Sequence, residues 1–204
     1  MAPMHKDALA IARRLFDCGR RPAEQTVVET LLRFGRGALA YALRYRVRIT
    51  LLHSGELYRE ASHALARLGI DVDAWPAPPA GLFVVEERAL YLRSRSPMTV
   101  AHEFGHALDC ALGGGVYRSG IDPQVRALFA NATAFVTPYA ATGIDEYFAE
   151  SLRAYVEAND STSPWPRATR ARLRHSDPGM HEFVELLFER EFGERPQLGK
   201  LVSI

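Results

Sequence analysis

Residues 96–115 read SPMTVAHEFGHALDCALGGG, and the string His102-Glu103-Phe104-Gly105-His106 at their centre constrains the chain more than any other stretch. Ser96 suits a helix N-cap, Pro97 the first helical position and Gly113 a left-handed stop, so the segment predicts a helix. At about 3.6 residues per turn, His102 and His106 lie one above the other and can hold a single metal ion. Glu103 stands beside them, placed to take a proton from water at that ion. Val100, Phe104, Ala107, Leu108 and Ala111 make an apolar stripe on the opposite side. Such a helix is anchored by one face and presents a ligand pair with the other. With 7 His and 15 Glu in the chain, the HExxH string arises by chance in roughly 2 of 100 shuffled sequences. The motif therefore needs support from the remaining residues: a third ligand, an orienting shell and a groove.

The chain has 204 residues, 48% apolar and 24% charged, which suits one domain with a substantial core. Its net charge of +1 gives no global field for nucleic acid. Residues 1–48 do carry 10 Lys/Arg against 4 Asp/Glu, but no aromatic-interleaved basic run accompanies them, and a solvated helix face accounts for them better. Cys18 and Cys110 allow at most one bridge, and no CxxC cluster exists. A disulfide scaffold and a thiolate zinc site are both excluded. Cys110, one turn after His106, is expected to be a small buried residue. The start, MAPMHKDALAIARRLFDCG, has no apolar stretch of signal-peptide type, and no run of 18 apolar residues is present to span a bilayer. The expectation is a soluble chain, cytoplasmic as synthesised, with any secretion or delivery by another route.

Patterning places a short amphipathic helix at residues 4–18, stopped by Gly19, and a second from Pro22 to about Tyr45, interrupted at Gly35-Arg36-Gly37 by either a kink or a break. Val47–Leu52 reads as a strand. Ser54 is expected to cap a helix running to Leu68, with Gly69 ending it. Residues 70–80, with three prolines, form an irregular connection. Leu82–Val85 and Ala89–Arg93 read as a hairpin. The second of these strands immediately precedes the HExxH helix, so its free edge is expected to border the metal site and to accept an extended peptide. Beyond Gly115 the pattern is helical: a largely buried helix from Asp122-Pro123 to about Phe135, then a loop over 137–143. A helix capped by Thr142 and Asp145 follows, then a basic segment over Arg167–His175 and a last helix from Asp177-Pro178 to Gly193. The fold class is α+β: a small mixed or antiparallel sheet packed on the HExxH helix, followed by an all-helical C-terminal half. We read one domain over 1–204, with an N-terminal helical segment (1–46), the sheet and HExxH helix (47–115) and a helical part (116–204).

A catalytic zinc site takes three protein ligands and one open position. A third histidine at the HExxHxxGxxH spacing is absent, since Asp109 and Leu112 occupy the relevant positions. Downstream of Glu103 the next glutamate is Glu146, in the first turn of its own helix, and Asp145 is assigned to the cap. Glu146 is the first unassigned strong ligand, and Glu150 follows one turn later on the same face. A second carboxylate there can accept the free imidazole N–H of a ligand histidine and fix its tautomer. The competing reading of Glu146 and Glu150 is an exposed acidic face beside Arg153.

HEFGHALD followed by Tyr139-Ala140-Ala141-Thr142-Gly143-Ile144-Asp145-Glu146-Tyr147-Phe148-Ala149-Glu150 resembles the gluzincin metallopeptidases, most closely the group of the anthrax lethal factor catalytic domain. The resemblance covers about residues 81–157 and implies a zincin-like fold. It also implies a Zn2+ ion on His102, His106 and Glu146, with Glu103 as general base, Tyr139 near the metal and Glu150 behind a ligand histidine. The activity implied is hydrolysis of peptide bonds in a peptide or protein substrate, by analogy as a delivered toxin or effector. No nucleic-acid partner is expected. The alternatives are an inactive zincin fold serving as a binding module, and a zinc-containing regulatory protein that contacts nucleic acid through residues 1–48 and Arg167–Arg174.

Overall fold

The structure, a computed structural model, describes residues 3–17, 23–163 and 166–196. Cys18, the expected stop at Gly19 and the expected start at Pro22 lie outside the described residues. Three helices come first: α1 (Pro3–Arg14), α2 (Gln25–Leu32) and α3 (Gly35–Arg44). The interruption at Gly35 is a true break, because Gly35 sits at φ +83° and restarts the chain in a new direction. Strand β1 (Arg48–Leu51) is followed by two short helices, α4 (Tyr58–Ala61) and α5 (His63–Leu68), rather than by one helix from Ser54. The cap is Ser62, whose hydroxyl accepts a hydrogen bond from the Leu65 amide at 3.2 Å. Its extended backbone breaks the helical run between Ala61 and His63.

Strands β2 (Gly81–Val84) and β3 (Ala89–Leu92) form the hairpin, and β1 joins β3 in parallel, giving the mixed order β1-β3-β2. This corrects one expectation. The strand of residues 89–92 is the central one and has no free edge, because β1 returns to pair with it; the edge on the hairpin side belongs to β2. All four residues of β3 are buried, which explains why ALYL lacks polar alternation. Phe83, Leu90 and Leu92 face the main core, whereas Val84, Ala89 and Tyr91 face a smaller cluster completed by Tyr58, Ala64 and Leu65 beneath α4 and α5.

The HExxH helix is α6 (Pro97–Leu112), capped by Ser96, whose hydroxyl accepts from the Thr99 amide at 3.2 Å. The left-handed residue after it is Gly114 (φ +69°), not Gly113 (φ −86°). Then come α7 (Arg118–Ile121), α8 (Pro123–Asn131), α9 (Ile144–Tyr155), α10 (Arg170–Ser176) and α11 (Pro178–Glu191). α8 is not largely buried: only Val125 is, and Ala127 and Ala130 face water, where so small an apolar side chain costs little. Nor do Thr142 and Asp145 make a capping box. Gly143 is the N-cap of α9, and the Thr142 hydroxyl donates instead to Tyr139 O at 2.7 Å, closing the short turn before it. Together these elements make an α+β fold with a three-stranded sheet, and no helix among the described residues is long and apolar enough to cross a membrane.

α6 packs on β2 and β3 along one flank and on α9 along the other. At the α6–α9 crossing Gly105 faces Ala149, and a Cβ added to Gly105 would lie 3.0 Å from Ala149 Cα and 3.2 Å from its carbonyl oxygen. Farther along α6, buried Asp109 accepts the Ser119 amide at 2.8 Å and the Ser119 hydroxyl at 2.6 Å, tying the helix to α7. Burial pushes the Asp109 carboxyl up to about 6, against those two hydrogen bonds.

Two outcomes are expected. Gly105→Val drives two backbones apart and lowers stability by about 1–3 kcal/mol, read as a lower urea midpoint. Asp109 binds its proton more tightly folded (about 6) than at its ordinary 3.8, so its ionisation opposes folding above pH 6 and that cost fades toward pH 4. Urea titrations should therefore show wild type gaining stability on Asp109→Asn as pH falls from 7 to 4; a constant difference would contradict the assignment.

Candidate metal centre

Helical spacing sets His102 above His106, and their rings meet edge to face with centroids 4.7 Å apart. The two Nε2 atoms are 3.1 Å apart. Because α9 crosses at Gly105, Glu146 in its first turn reaches the same point: its Oε2 lies 3.0 Å from His102 Nε2 and 3.3 Å from His106 Nε2. That oxygen is buried and has no hydrogen-bond partner, although two ring nitrogens are within reach. The three atoms converge on a common space. Tetrahedral coordination with bonds of about 2.0–2.1 Å places ligand atoms about 3.3 Å apart, so the spacing suits one cation of that kind. His102, His106 and Glu146 form the group of potential metal ligands found among the described residues.

The other imidazole nitrogens differ. His102 Nδ1 lies 3.0 Å from Glu150 Oε1, which sets that nitrogen as the donor and leaves Nε2 with a lone pair. His106 Nδ1 is buried without a partner, and the Tyr117 ring lies 5.5 Å from its own. Glu150 is itself fixed on every side. Arg153 donates from Nε and Nη2 to its two oxygens, both at 2.7 Å, and the Thr137 hydroxyl donates to Oε2 at 2.6 Å. Burial disfavours the Glu150 anion, but the hydrogen bonds from His102 and Arg153 outweigh it and hold the carboxyl down at about 2. Glu146 is likewise kept below the ordinary carboxylate range: burial opposes ionisation and the two histidines overcome it. For His102, burial works against the imidazolium, yet Glu146 and Glu150 raise its pKa well above the usual histidine value. The cluster thus holds positive charge strongly, whether as protons or as a metal cation.

Glu103 is buried, and burial raises its pKa against the pull of His102 and His106. It lines a cleft of about 500 Å³ together with His102, Tyr139 and Glu150. The near wall of that cleft is the start of β2: a Cβ on Gly81 would sit 2.7 Å from Glu103 Cγ, so only glycine lets the strand lie this close. Tyr139, in the turn Tyr139–Ala141, is half exposed, with its ring 5.4 Å from that of His102. Its hydroxyl donates to Glu146 Oε1 at 3.2 Å, and burial and Glu146 both keep it protonated.

Every residue singled out above (His102, Glu103, His106, Tyr139, Glu146 and Glu150) lies in this one cluster. The exposed acidic face beside Arg153 is not what forms, since Glu150 and Arg153 are both buried. Cys110 is buried on α6, with its sulfur 3.9 Å from the Tyr45 hydroxyl. Sequence reading missed Thr137 and the buried pairing of Arg153. The second was legible as an i,i+3 ion pair; Thr137, thirteen residues from its partner, left no signal.

The architecture is that of the zincin-like α+β fold. The solved structure of the PRO-PRO endopeptidase (PPEP-2) from Paenibacillus alvei aligns with a TM-score of 0.61 at 22% identity, over 87% of this chain and 100% of that one. At that identity the likeness is one of fold. No family model matches the chain, and no curated protein matches it.

Removing Arg153 would leave the Glu150 carboxylate buried beside His102 without its cation. Arg153→Met is expected to cost about 3–5 kcal/mol in a urea titration. Arg195→Ala, which removes a guanidinium out in the solvent, should leave the midpoint unchanged.

Proposed function

We propose that this chain is a zinc-dependent endopeptidase of the gluzincin type. One observation carries the reading: two imidazole Nε2 atoms and a carboxylate oxygen converge within 3.0–3.3 Å of one another, and that oxygen has no hydrogen bond. The cluster opens on a cleft lined by a buried glutamate. Two imidazoles and one carboxylate at tetrahedral spacing favour zinc over the hard oxygen-seeking cations. His102, His106 and Glu146 would hold the zinc, which would supply an acidified water and a polarised carbonyl.

The chain's own groups do the rest. Glu103, its carboxyl raised by burial, accepts the proton of the attacking water at a carboxylate oxygen and passes it to the leaving nitrogen. The Tyr139 hydroxyl, kept protonated, turns from Glu146 to donate to the oxygen that becomes negative. Glu150, pinned by Arg153 and Thr137, holds the His102 ring in the tautomer that leaves Nε2 free. The outer edge of β2, beside Glu103, offers backbone groups to an extended peptide. Pro79, Met98, Val136 and Pro138 give the cleft apolar walls that suit short apolar side chains. The structural neighbour is a PRO-PRO endopeptidase, and proline is one such side chain.

Metal analysis beside a peptide-library cleavage assay tests the reading. Wild type is expected to hold one zinc and to cleave, Glu103→Gln to hold zinc but lose cleavage by 100-fold or more, in line with general acid–base contributions of about 10²–10⁴, and Glu146→Ala to lose zinc. Undiminished zinc affinity in Glu146→Ala would remove it as the third ligand. Full cleavage by Glu103→Gln would remove the base.

A further inference from the structure

The charged groups on the cleft wall are His102, Glu103, Glu150, Arg153 and Arg172. Four of them are accounted for: His102, Glu150 and Arg153 bind one another, and Glu103 is packed beneath β2 against the histidines. Arg172, on α10, is the exception. Its Nε donates to Val136 O at 2.8 Å, which orients the guanidinium, and among the described residues neither of its Nη groups has an acceptor and no carboxylate pairs with it. An arginine without an acid would ordinarily extend into water; here it is tethered to the rim of an apolar cleft, with the two-nitrogen end of its fork free. That end matches a carboxylate bidentately. Its neighbours in sequence are basic as well: Arg167, Arg170, Arg172 and Arg174 fall in the stretch between Asp160 and Asp177, which contains no Asp or Glu.

Resting on the peptidase reading above, we infer that Arg172 is a specificity-determining residue that selects substrates carrying a carboxylate near the bond to be cut. The carboxylate is an Asp or Glu side chain or the substrate's own C-terminus. Its distance from the cut is bounded by the loop that carries the anchor. Val136 O holds Arg172, the next residue, Thr137, holds Glu150 behind His102, and Tyr139 reaches Glu146. Val136 and Tyr139 lie at most about 10 Å apart along the chain, so the guanidinium and the metal cluster are within reach of one extended peptide rising about 3.3 Å per residue.

Zinc-loaded full-length Glu103→Gln, which binds without cutting, allows affinity to be measured apart from turnover, by fluorescence anisotropy. Peptides of one sequence are compared with Glu, Gln or Lys at each of the four positions on either side of the cut, and with a free or amidated C-terminus there. The expected result is a preference of tenfold or more for the carboxylate at one position. The Glu/Gln series and the free/amidated series distinguish a side chain from a terminus. Adding Arg172→Gln should bring that ratio near one, Arg172→Lys should retain part of it, and Arg172→Glu should turn it in favour of the lysine peptide, which a merely structural role would not do. In wild-type cleavage the same ratio should lie in KM, with kcat changed little. Equal binding of the Glu, Gln and amidated peptides, or a ratio that survives Arg172→Gln, overturns the inference. A carboxylate preference in binding, with no peptide cut by zinc-loaded wild type, supports the role of Arg172 and removes the peptidase reading instead.

Discussion

The closest approach of α6 to α9 governs the site. Gly105 stands between His102 and His106, and Ala149 stands between Glu146 and Glu150. Setting the first against the second lays a histidine pair, one turn apart, over a glutamate pair, also one turn apart. A side chain at Gly105 would separate the helices, and Glu146 would no longer reach the two ring nitrogens. The apolar remainder of both helices, including Phe104, Leu108, Phe148 and Leu152, keeps them together within the main core. The position of the three candidate ligands is thus a consequence of packing rather than of the polar groups themselves.

Burial then makes electrostatics decisive. Glu150 and Arg153 sit where water cannot screen them, and each is stable only because of the other. Thr137 and Arg153 supply donors to the carboxylate, and the carboxylate passes its orientation on to His102. The two histidines are not equivalent: His102 is braced from behind, while His106 Nδ1 has no partner. Glu103 lies in the same dry surroundings with its pKa raised, the condition under which a carboxylate takes and returns a proton readily.

Much of this was legible from local pattern. The α6 helix, its cap at Ser96 and the shared face of His102 and His106 follow from spacing alone. So does the pairing of Glu146 with Glu150 on one turn of α9. Gly105 is a glycine within an otherwise good helix, and the approach of Ala149 is the reason for it. What local pattern missed is set by distant partners. β3 is central because β1, some forty residues earlier, returns parallel to it, and no feature of ALYL announces that. Ser62 rather than Ser54 caps a helix because the extended backbone at residue 62 interrupts the turn. α8 is exposed despite its few charges, since small side chains fit either side of a surface. Thr137 and Arg172 matter through bonds to residues far along the chain, which spacing does not encode.

The division of the candidate ligands between two helices has a thermodynamic side. His102 and Glu146 are forty-four positions apart, so an ion bound to both would bridge a long loop of the unfolded chain, a closure that becomes only slowly more costly with length. In the folded protein that loop is already closed by the core between α6 and α9. An ion would meet ligands whose ordering has been met by hydrophobic burial, and its affinity would contain that contribution. By linkage, whatever loosens the two helices weakens the ion, and whatever removes the ion loosens the helices by the same free energy. Core residues that never touch the centre would in this way set how tightly it holds its cation.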